Sequence, residues 1–225
     1  NAKVTAIQAT AAGVRVETPA RNYDADQVIV TVPVSILQAG EIGFAPRLPT
    51  RMVRGLNGIT FGKGFKVFLK FRERFYPDLL LTQSVASGLV DSWDNKTYYD
   101  AAFGKGSDDH VLGLFTTNGG ALPRARLSRD ELVADVVAEL DRIYDVAPSK
   151  LLQRAEVRNW SQDHFIRGTY SMAFDDSDFD ALAEIFPSLE GRVHFAGEAL
   201  GGDAQSTVHG AALSARRVVD ALLGH

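Results

Sequence analysis

Residues 192–223 read RVHFAGEALGGDAQSTVHGAALSARRVVDALL. Val193 and Phe195 alternate as in a short strand, a carboxylate follows at Glu198, and a Gly-Gly pair at 201–202 makes a loop. Apolar residues at helical spacing then predict a long helix. Its apolar stripe consists of Val208, Ala211, Ala212, Ala215, Val218, Val219 and Leu222.

The start of this helix is a candidate binding site. Ser206 or Thr207 can cap it, and Gly224 follows its last turn. The free N–H groups of a helix start favour an electron-rich or anionic ligand. An ordinary strand–loop–helix unit that closes an α/β domain explains the same residues without any ligand, so the rest of the chain must distinguish the two interpretations.

Composition argues against several classes of site and partner. The 225 residues are 45% hydrophobic, which is enough for one large or two modest domains. A net charge of −4 predicts no nucleic-acid partner, and the absence of cysteine excludes disulfides, thiolate nucleophiles and iron–sulfur clusters. The five histidines lack metal-ligand spacing, so we expect no metal site. No apolar run approaches the roughly 20 residues of a membrane span. We expect a cytoplasmic protein. The sequence leaves open whether it forms a homo-oligomer.

Upstream, the pattern predicts strands followed by a mixed α/β segment. Residues 1–33 contain three β-rich runs that we interpret as a meander, at 4–7, 13–17 and 27–32. Further strands are predicted at 65–71, 111–116 and 152–159, and short helices at 52–59 and 178–186. We interpret residues 34–49 as a loop. Ser128 and Glu131 form a capping box that begins another helix, ending near Tyr144.

The order of these elements predicts an α/β (α+β) fold with two domains. A final strand–helix pair cannot form a domain alone, so residues 1–33 and 189–225 are predicted to combine into one discontinuous domain. Residues 34–188 would then be a second domain, with a mixed sheet, inserted into the first.

Several familiar sequence motifs are incomplete or missing in this chain. Asp176, Asp178 and Asp180 resemble the start of an EF-hand loop, but Ala181 and Pro187 replace the required glycine and glutamate. The glycine-rich segment 58–64 is not a Walker A loop, and there is neither a Gly-x-Ser-x-Gly elbow nor a Gly-x-Gly-x-x-Gly sequence.

Taken together, the residues resemble the C-terminal two-thirds of flavin-containing amine oxidases, the family of monoamine oxidases, polyamine oxidases and lysine-specific histone demethylases. One such motif would be weak, but four occur in the family's order. They are VIVTVP at 28–33, FAP at 44–46 with LP at 48–49 leading to KVFLKF at 66–71, Trp160 with GTYS at 168–171, and FAGE at 195–198 with TVHGA at 207–211.

The resemblance implies an FAD-dependent amine oxidation. An amine would lose a hydride to flavin N5, the imine would be hydrolysed, and O2 would reoxidise the flavin with release of H2O2. Residues 1–33 and 189–225 would be part of a Rossmann-like FAD-binding domain, and residues 34–188 the substrate-binding domain.

The resemblance also implies cofactor contacts. The backbone at Thr207 and Val208 would face the electron-rich N1 and C2 carbonyl edge of the flavin, and Glu198 would accept hydrogen bonds from ribityl hydroxyls. The strand backbone at Val4 would bind the adenine, and Pro33 would lie on the wall of the flavin site.

Three further residues match catalytic positions of the family. Lys66 matches the lysine that holds a water against flavin N5, Tyr170 an aromatic wall beside the flavin, and Trp160 the tryptophan packed next to it. Each has a simpler explanation when taken alone. Lys66 would be a surface lysine on a half-exposed strand, and the two aromatic residues would be core residues.

Departures from the family refine this interpretation. Thr169 stands where covalent-flavin members have cysteine, so FAD should be bound non-covalently. Thr207 replaces the second caging tyrosine of monoamine oxidases. The TVHGA sequence resembles polyamine oxidases and histone demethylases more closely, so a long or polycationic amine is the first candidate substrate. Acidic residues at 175–180 could steer such a cation, although a solvated acidic surface explains them equally well.

A glycine-rich βαβ unit for the pyrophosphate is absent from these residues. We therefore expect the chain to be a fragment that needs an N-terminal dinucleotide-binding segment and is inactive alone. Two alternatives stay open. One is a catalytically silent substrate-domain or assembly module. The other is a flavoenzyme similar to L-amino-acid oxidases, in which Arg158 or Arg167 would bind the substrate carboxylate.

Overall fold

The computed structural model describes residues 2–82, 96–172 and 188–224, so the predicted helix at 178–186 and the acidic residues at 175–180 lie outside the described residues. The chain forms two compact units. The first comprises Asn1–Phe61 and Tyr170–His225, and the second comprises Gly62–Thr169. The inserted unit thus begins at Gly62, whereas the sequence predicts a boundary at residue 34, because residues 34–61 contribute to the core of the first unit.

Both units contain strands and helices. The strands are β1 Ala6–Thr10, β2 Gly13–Glu17, β3 Asn22–Ala25, β4 Val28–Val30, β5 Gly43–Ala45, β6 Thr60–Phe61, β7 Gly64–Phe71, β8 Leu79–Thr82, β9 Lys96–Asp100, β10 His110–Thr117, β11 Leu152–Asn159, β12 Ser171–Met172 and β13 Val193–Phe195. The helices are α1 Val34–Gln38, α2 Thr50–Gly58, α3 Arg129–Ile143, α4 Pro148–Leu151 and α5 Val208–Leu223. No helix in these ranges is long and apolar enough to span a bilayer.

The first unit contains a small meander and a separate parallel strand pair. β1, β2 and β3 are antiparallel neighbours, and β5 joins the free edge of β1 in parallel. β3 escaped prediction because all of its side chains are exposed, so its sequence lacks alternation. The prediction that residues 27–32 complete the meander is wrong. β4 pairs in parallel with β13, with Val28 opposite Val193 and Val30 opposite Phe195.

Two helices in the first unit complete its core. The prediction of a loop at 34–49 is wrong in part, because α1 occupies residues 34–38. The Gln38 side chain donates to the carbonyls of Leu56 and Ile59, both at 2.7 Å, and so ties α1 to the end of α2. The buried core consists of Ile7, Val14, Val30, Val34, Ile42, Met52, Leu56, Ile59, Leu189, Val193, Phe195 and Ala199.

Helix α5 forms as predicted, but its buried face is shifted from the predicted stripe. The fully buried residues are Gly210 and Ser214, the stripe residues Ala211, Ala215, Val218 and Leu222 are half-buried, and Val208 is 90% exposed. Ser214 Oγ accepts from Gly197 N at 2.9 Å and donates to Gly197 O at 2.8 Å. Small residues on this face let the helix approach the preceding loop closely.

Gly210 marks the closest approach of α5 to that loop. A Cβ atom at this position would lie 2.0 Å from the carbonyl oxygen of Ala204 and 2.7 Å from its carbonyl carbon. Gly201 in the loop is also constrained, though less severely, since its Cβ would lie 3.0 Å from the Cα of Gly210. The glycine of the TVHGA sequence is therefore required by packing.

The second unit is a five-stranded antiparallel sheet, ordered β11-β7-β10-β9-β8, with α3 on one face. The predicted alternation in β7 is confirmed, because Phe65, Val67, Leu69 and Phe71 are at most 1% exposed. Lys96 on β9 and Glu139 on α3 form a half-buried ion pair. The buried core consists of Phe65, Val67, Leu69, Phe71, Tyr76, Tyr98, Leu112, Leu114, Ala121, Leu132, Val136, Val137 and Leu140.

The predicted capping box at the start of α3 is also confirmed. Ser128 Oγ accepts from Glu131 N at 3.4 Å, and Ser128 N donates to the Glu131 carboxylate at 2.8 Å. The hydrogen bonds from Ser128 lower the pKa of Glu131.

We expect Ser128→Ala to lower the free energy of unfolding by about 1 kcal/mol, because a backbone N–H of the first turn loses its acceptor. Ser149→Ala is a control, because Ser149 is exposed, and it should change stability by less than about 0.5 kcal/mol. Urea unfolding of both variants measures the difference. Equal stabilities would show that the cap contributes nothing.

We expect Gly210→Ala to destabilise the protein by about 1–3 kcal/mol, because the new methyl group would meet backbone atoms of Ala204. Gly58→Ala at the end of α2 is the matched control, since nothing lies within 4 Å of its Cβ position. A helical alanine there should be neutral or stabilising by up to about 1 kcal/mol. Thermal unfolding distinguishes the two, and a neutral Gly210→Ala would contradict the packing argument.

Candidate functional site

Lys66 lies on the face of β7 opposite the core of the second unit. Its ammonium nitrogen is 5.3 Å from the ring centroid of Phe115 and 5.9 Å from that of Trp160. Phe115 is its cross-strand neighbour on β10. No described residue forms a hydrogen bond or ion pair with this ammonium group, so its donors are available to a water or a ligand. Such cation–π contacts stabilise a half-buried ammonium by about 1 kcal/mol.

Trp160 is held near Lys66 by the turn that follows β11. Asn159 Oδ1 accepts from Ser161 N at 3.1 Å, and Ser161 Oγ accepts from Gly64 N at 2.9 Å. The turn is thereby fixed to the first residue of β7, two positions before Lys66. The structure thus brings together two of the three residues that the sequence proposes for catalysis.

Aromatic rings continue along the same face, which we call the Lys66 face and define by Lys66, Phe68, Tyr99, Gly113 and Phe115. Phe68 and Tyr99 form an edge contact with centroids 6.4 Å apart. The Tyr99 ring lies over Gly113, since a Cβ there would be 2.5–2.9 Å from three ring carbons. Partial burial raises the pKa of Tyr99. The Lys66 face therefore offers an apolar surface to a ligand.

Thr169 lies near the start of β7. Its N–H donates to the Gly62 carbonyl at 2.8 Å, and its methyl group would be 2.4 Å from a Cβ at Gly64. Its Oγ1 is buried and has no hydrogen-bond partner among the described residues. A threonine offers no thiol for a covalent flavin bond, and non-covalent binding of FAD stays a prediction.

Tyr170, in the first unit, directly precedes strand β12, which pairs with β6. Ser171 links this strand to Glu198. Glu198 Oε1 accepts from Ser171 N at 2.9 Å, and Oε2 accepts from Ser171 Oγ at 2.7 Å and from Ser206 N at 2.9 Å. A carboxylate has about four acceptor positions. These three bonds leave capacity for a further donor, so the expected contact between Glu198 and ribityl hydroxyls stays a prediction.

The start of α5 lies beside this network. Thr207 Oγ1 accepts from Gly210 N at 3.0 Å and donates to Ala204 O at 2.5 Å, which identifies Thr207 as the N-cap. The N–H groups of Val208 and His209 belong to the first turn and have no acceptor within the helix. Val208 is exposed despite being apolar. These features fit an electron-rich, partly apolar ring edge such as that of a flavin.

Pro33 and Glu198 follow neighbouring parallel strands. β4 ends at Val30 and β13 ends at its register partner, Phe195. Ligands in open parallel sheets bind beyond the carboxyl ends of the strands, so both residues leave the sheet at the edge where a cofactor is expected. Pro33 O accepts from Ile36 N at 2.9 Å. Val4 lies two residues before β1 and packs against the core, and its expected adenine contact stays a prediction.

The sequence did not identify three polar residues of this site. Ser171 and Ser206 bind Glu198, and Gln205 Nε2 donates to Ser171 Oγ at 2.7 Å. Ser171 belongs to the GTYS motif and could have been noticed there. Ser206 was considered only as a possible helix cap, and no local signal indicates its bond to Glu198 or the bond of Gln205 to Ser171.

Comparison with known proteins adds independent evidence. Polyamine oxidase 1 of Zea mays is 29% identical over 228 residues, covering 95% of this chain and 43% of that protein. Peroxisomal N(1)-acetyl-spermine/spermidine oxidase of Homo sapiens is 31% identical over 224 residues, covering 89% of this chain and 43% of that protein. Lysine-specific histone demethylase 1 homolog 1 of Oryza sativa subsp. japonica is 29% identical over 229 residues, covering 95% of this chain and 25% of that protein.

The chain thus spans less than half the length of these relatives. The family model described as flavin containing amine oxidoreductase matches residues 1–223, almost the whole chain. Together with the ordered motifs, this match shows that the chain belongs to the flavin containing amine oxidoreductase family.

Proposed function

We propose that this chain is the part of an FAD-dependent amine oxidase that contacts the isoalloxazine end of the cofactor and receives the amine. The observation that carries the proposal is Lys66, whose ammonium group lies close to two aromatic rings of its own unit and has no hydrogen-bond or ion-pair partner among the described residues. The family implies a flavin. That the flavin is FAD, and that it is held without a covalent bond, are part of the proposal.

When bound, the flavin accepts a hydride from the carbon next to the amine nitrogen and returns the electrons to O2, so that an imine and H2O2 form. Lys66 would hold a water by donating hydrogen bonds from its Nζ atom. β7 holds this group in a fixed position, because strands on both sides pair with it through nearly its whole length. Phe115 and Trp160 would exclude other solvent from the ammonium group.

Residues of the first unit would bind and orient the cofactor. The first-turn N–H groups at Val208 and His209 would stabilise negative charge on a bound ring edge. Glu198 would accept from ribityl hydroxyls, Pro33 would pack against the ring system, and Tyr170 would supply an aromatic wall for the reacting amine.

The amine would bind along the Lys66 face. The aromatic side chains of Phe68 and Tyr99 would pack against a carbon chain or a ring of the amine. Polyamine oxidases among the relatives support a polyamine-like substrate. The cations Lys70, Arg154 and Arg158 share this side of the sheet, on β7 and β11, with Glu156. A second ammonium group of a polyamine would therefore need carboxylates from elsewhere in the protein.

The described residues give the two alternatives less support. An amino-acid substrate would need an arginine for its carboxylate, yet Arg158 already donates to Asp163 at 2.6 Å and Arg167 to the His164 carbonyl at 3.4 Å. A silent module would have no use for a half-buried ammonium group without a partner among the described residues.

We expect the protein purified with its flavin to release H2O2 when supplied with spermidine, N-acetylated spermine or benzylamine. Loss of the absorbance of the oxidised flavin in the absence of O2 measures its reduction by the amine. Release of peroxide measures its reoxidation by O2. Titration of the isolated 225 residues with FAD shows whether this chain holds a complete cofactor site. Weak binding is expected if the site is incomplete, and tight binding if it is complete. A full-length protein that stays colourless and oxidises none of these amines would overturn the proposed function.

We expect Lys66→Met to slow flavin reduction or reoxidation at least about tenfold, because the water loses its donor, while flavin stays bound. Lys70→Met is the matched control on the same face of β7, where Lys70 only pairs with Asp109 at the surface. Stopped-flow absorbance measures both steps. Unchanged rates in Lys66→Met would remove this residue from the mechanism.

A further inference from the structure

Four polar residues in the first unit form a hydrogen-bonded cluster around Ser171. Every polar atom of this serine takes part in a hydrogen bond. We call this group the Ser171 cluster and define it as Ser171, Glu198, Gln205 and Ser206. Ser171 is fully buried. Its N–H and hydroxyl donate to Glu198, its Oγ accepts from Gln205, and its carbonyl accepts from the Ser206 hydroxyl. Hydrogen bonds at a residue that water does not reach are costly to lose.

Ser206 adopts a backbone conformation that serine disfavours. Its φ is +64°, in the left-handed region where glycine is the usual residue. Two hydrogen bonds hold it there, one from its N–H to Glu198 Oε2 at 2.9 Å and one from its hydroxyl to Ser171 O. Strained residues persist only where the surroundings over-determine them, and they concentrate at ligand clamps.

The position of the cluster in the chain gives it a consequence for the site. Ser171 follows Tyr170, the proposed aromatic wall, and Ser206 precedes Thr207, the N-cap of α5. Glu198 bonds to both serines with one carboxylate. A movement of the Glu198 side chain would therefore displace the strand after Tyr170 and the first turn of α5 together.

We propose that Glu198, Ser171 and Ser206 act as positioning residues, with the Glu198 carboxylate fixing the start of α5 relative to the strand that follows Tyr170. This inference deepens the proposed function and rests on it for any effect on the flavin. Glu198 acts through the two serines, whether or not it also touches the cofactor.

The effect on a bound flavin follows from the range of the helix field. The favourable potential at a helix N-terminus falls off within the first turn. If the start of α5 moves, less negative charge on the reduced ring is stabilised. The reduction potential of the bound flavin should then become more negative, an effect that general loss of stability does not produce.

The test is a double-mutant cycle in the flavin-bound protein with Glu198→Gln and Ser171→Ala. Each substitution should weaken flavin binding about fivefold or more and lower the flavin reduction potential. The double variant should be no weaker than the weaker single variant, because both substitutions disturb the hydrogen bond from Ser171 Oγ to Glu198 Oε2. If the two effects on binding multiply, or if Ser171→Ala changes neither quantity, Glu198 acts by direct contact only and the inference is overturned.

A pair of variants at residue 206 isolates the backbone strain. Ser206→Gly and Ser206→Ala both lose the hydroxyl, but glycine adopts φ +64° freely whereas alanine does not. Ser206→Gly should bind flavin about fivefold more tightly than Ser206→Ala. Equal affinities would show that the conformation of residue 206 does not set the position of the helix start.

Controls and a second readout keep the test decisive. Glu190→Gln removes the same charge at an exposed residue of the first unit and should leave binding and potential unchanged. If Ser171→Ala fails to fold, Ser171→Cys replaces it, because a thiol is a much weaker donor than the hydroxyl that donates to Glu198 Oε2.

Hydrogen exchange of the amides at 206–210 needs no flavin and should speed up in Glu198→Gln. A wild-type protein that binds no flavin would overturn the proposed function, while unchanged exchange in Glu198→Gln would overturn the inference alone.

Discussion

The parallel pairing of β4 with β13 joins the two segments of the first unit. Val28 N donates to Arg192 O and Ala196 N donates to Val30 O, both at 3.0 Å, while the side chains of Val193 and Phe195 fill the core. Parallel strands require a crossover connection, and here the crossover contains the whole second unit. The register places the residues after both strands at one edge, so the positions of Pro33 and Glu198 both depend on this pairing.

Elements with a strong local signal could be predicted from the sequence. Strict alternation in β7, the capping box of α3 and the helical spacing in α5 each depend on residues within one element. Lys66 and Trp160 could be proposed together because both belong to motifs with a characteristic order. In the structure they are close, since Trp160 follows the strand that pairs with β7.

Features that depend on distant partners could not be predicted. The run at 27–32 looks like a third meander strand, and nothing within it reveals that its partner lies at 193–195. The buried face of α5 was misjudged because glycine and serine, which permit close approach, do not score as apolar. Glu198 was assigned to a ligand alone, because the sequence gives no sign that Ser171 and Ser206 converge on its carboxylate.

The position of Tyr99 over Gly113 determines how wide the Lys66 face is at this point. Because the ring occupies the space of an absent side chain, its removal would leave a groove floored by backbone of β10 and bordered by Phe68. One substitution at residue 99 could thus widen the Lys66 face without shifting a strand. A larger residue at 113 would displace the ring instead, so width at this point is controlled by a single pair of residues.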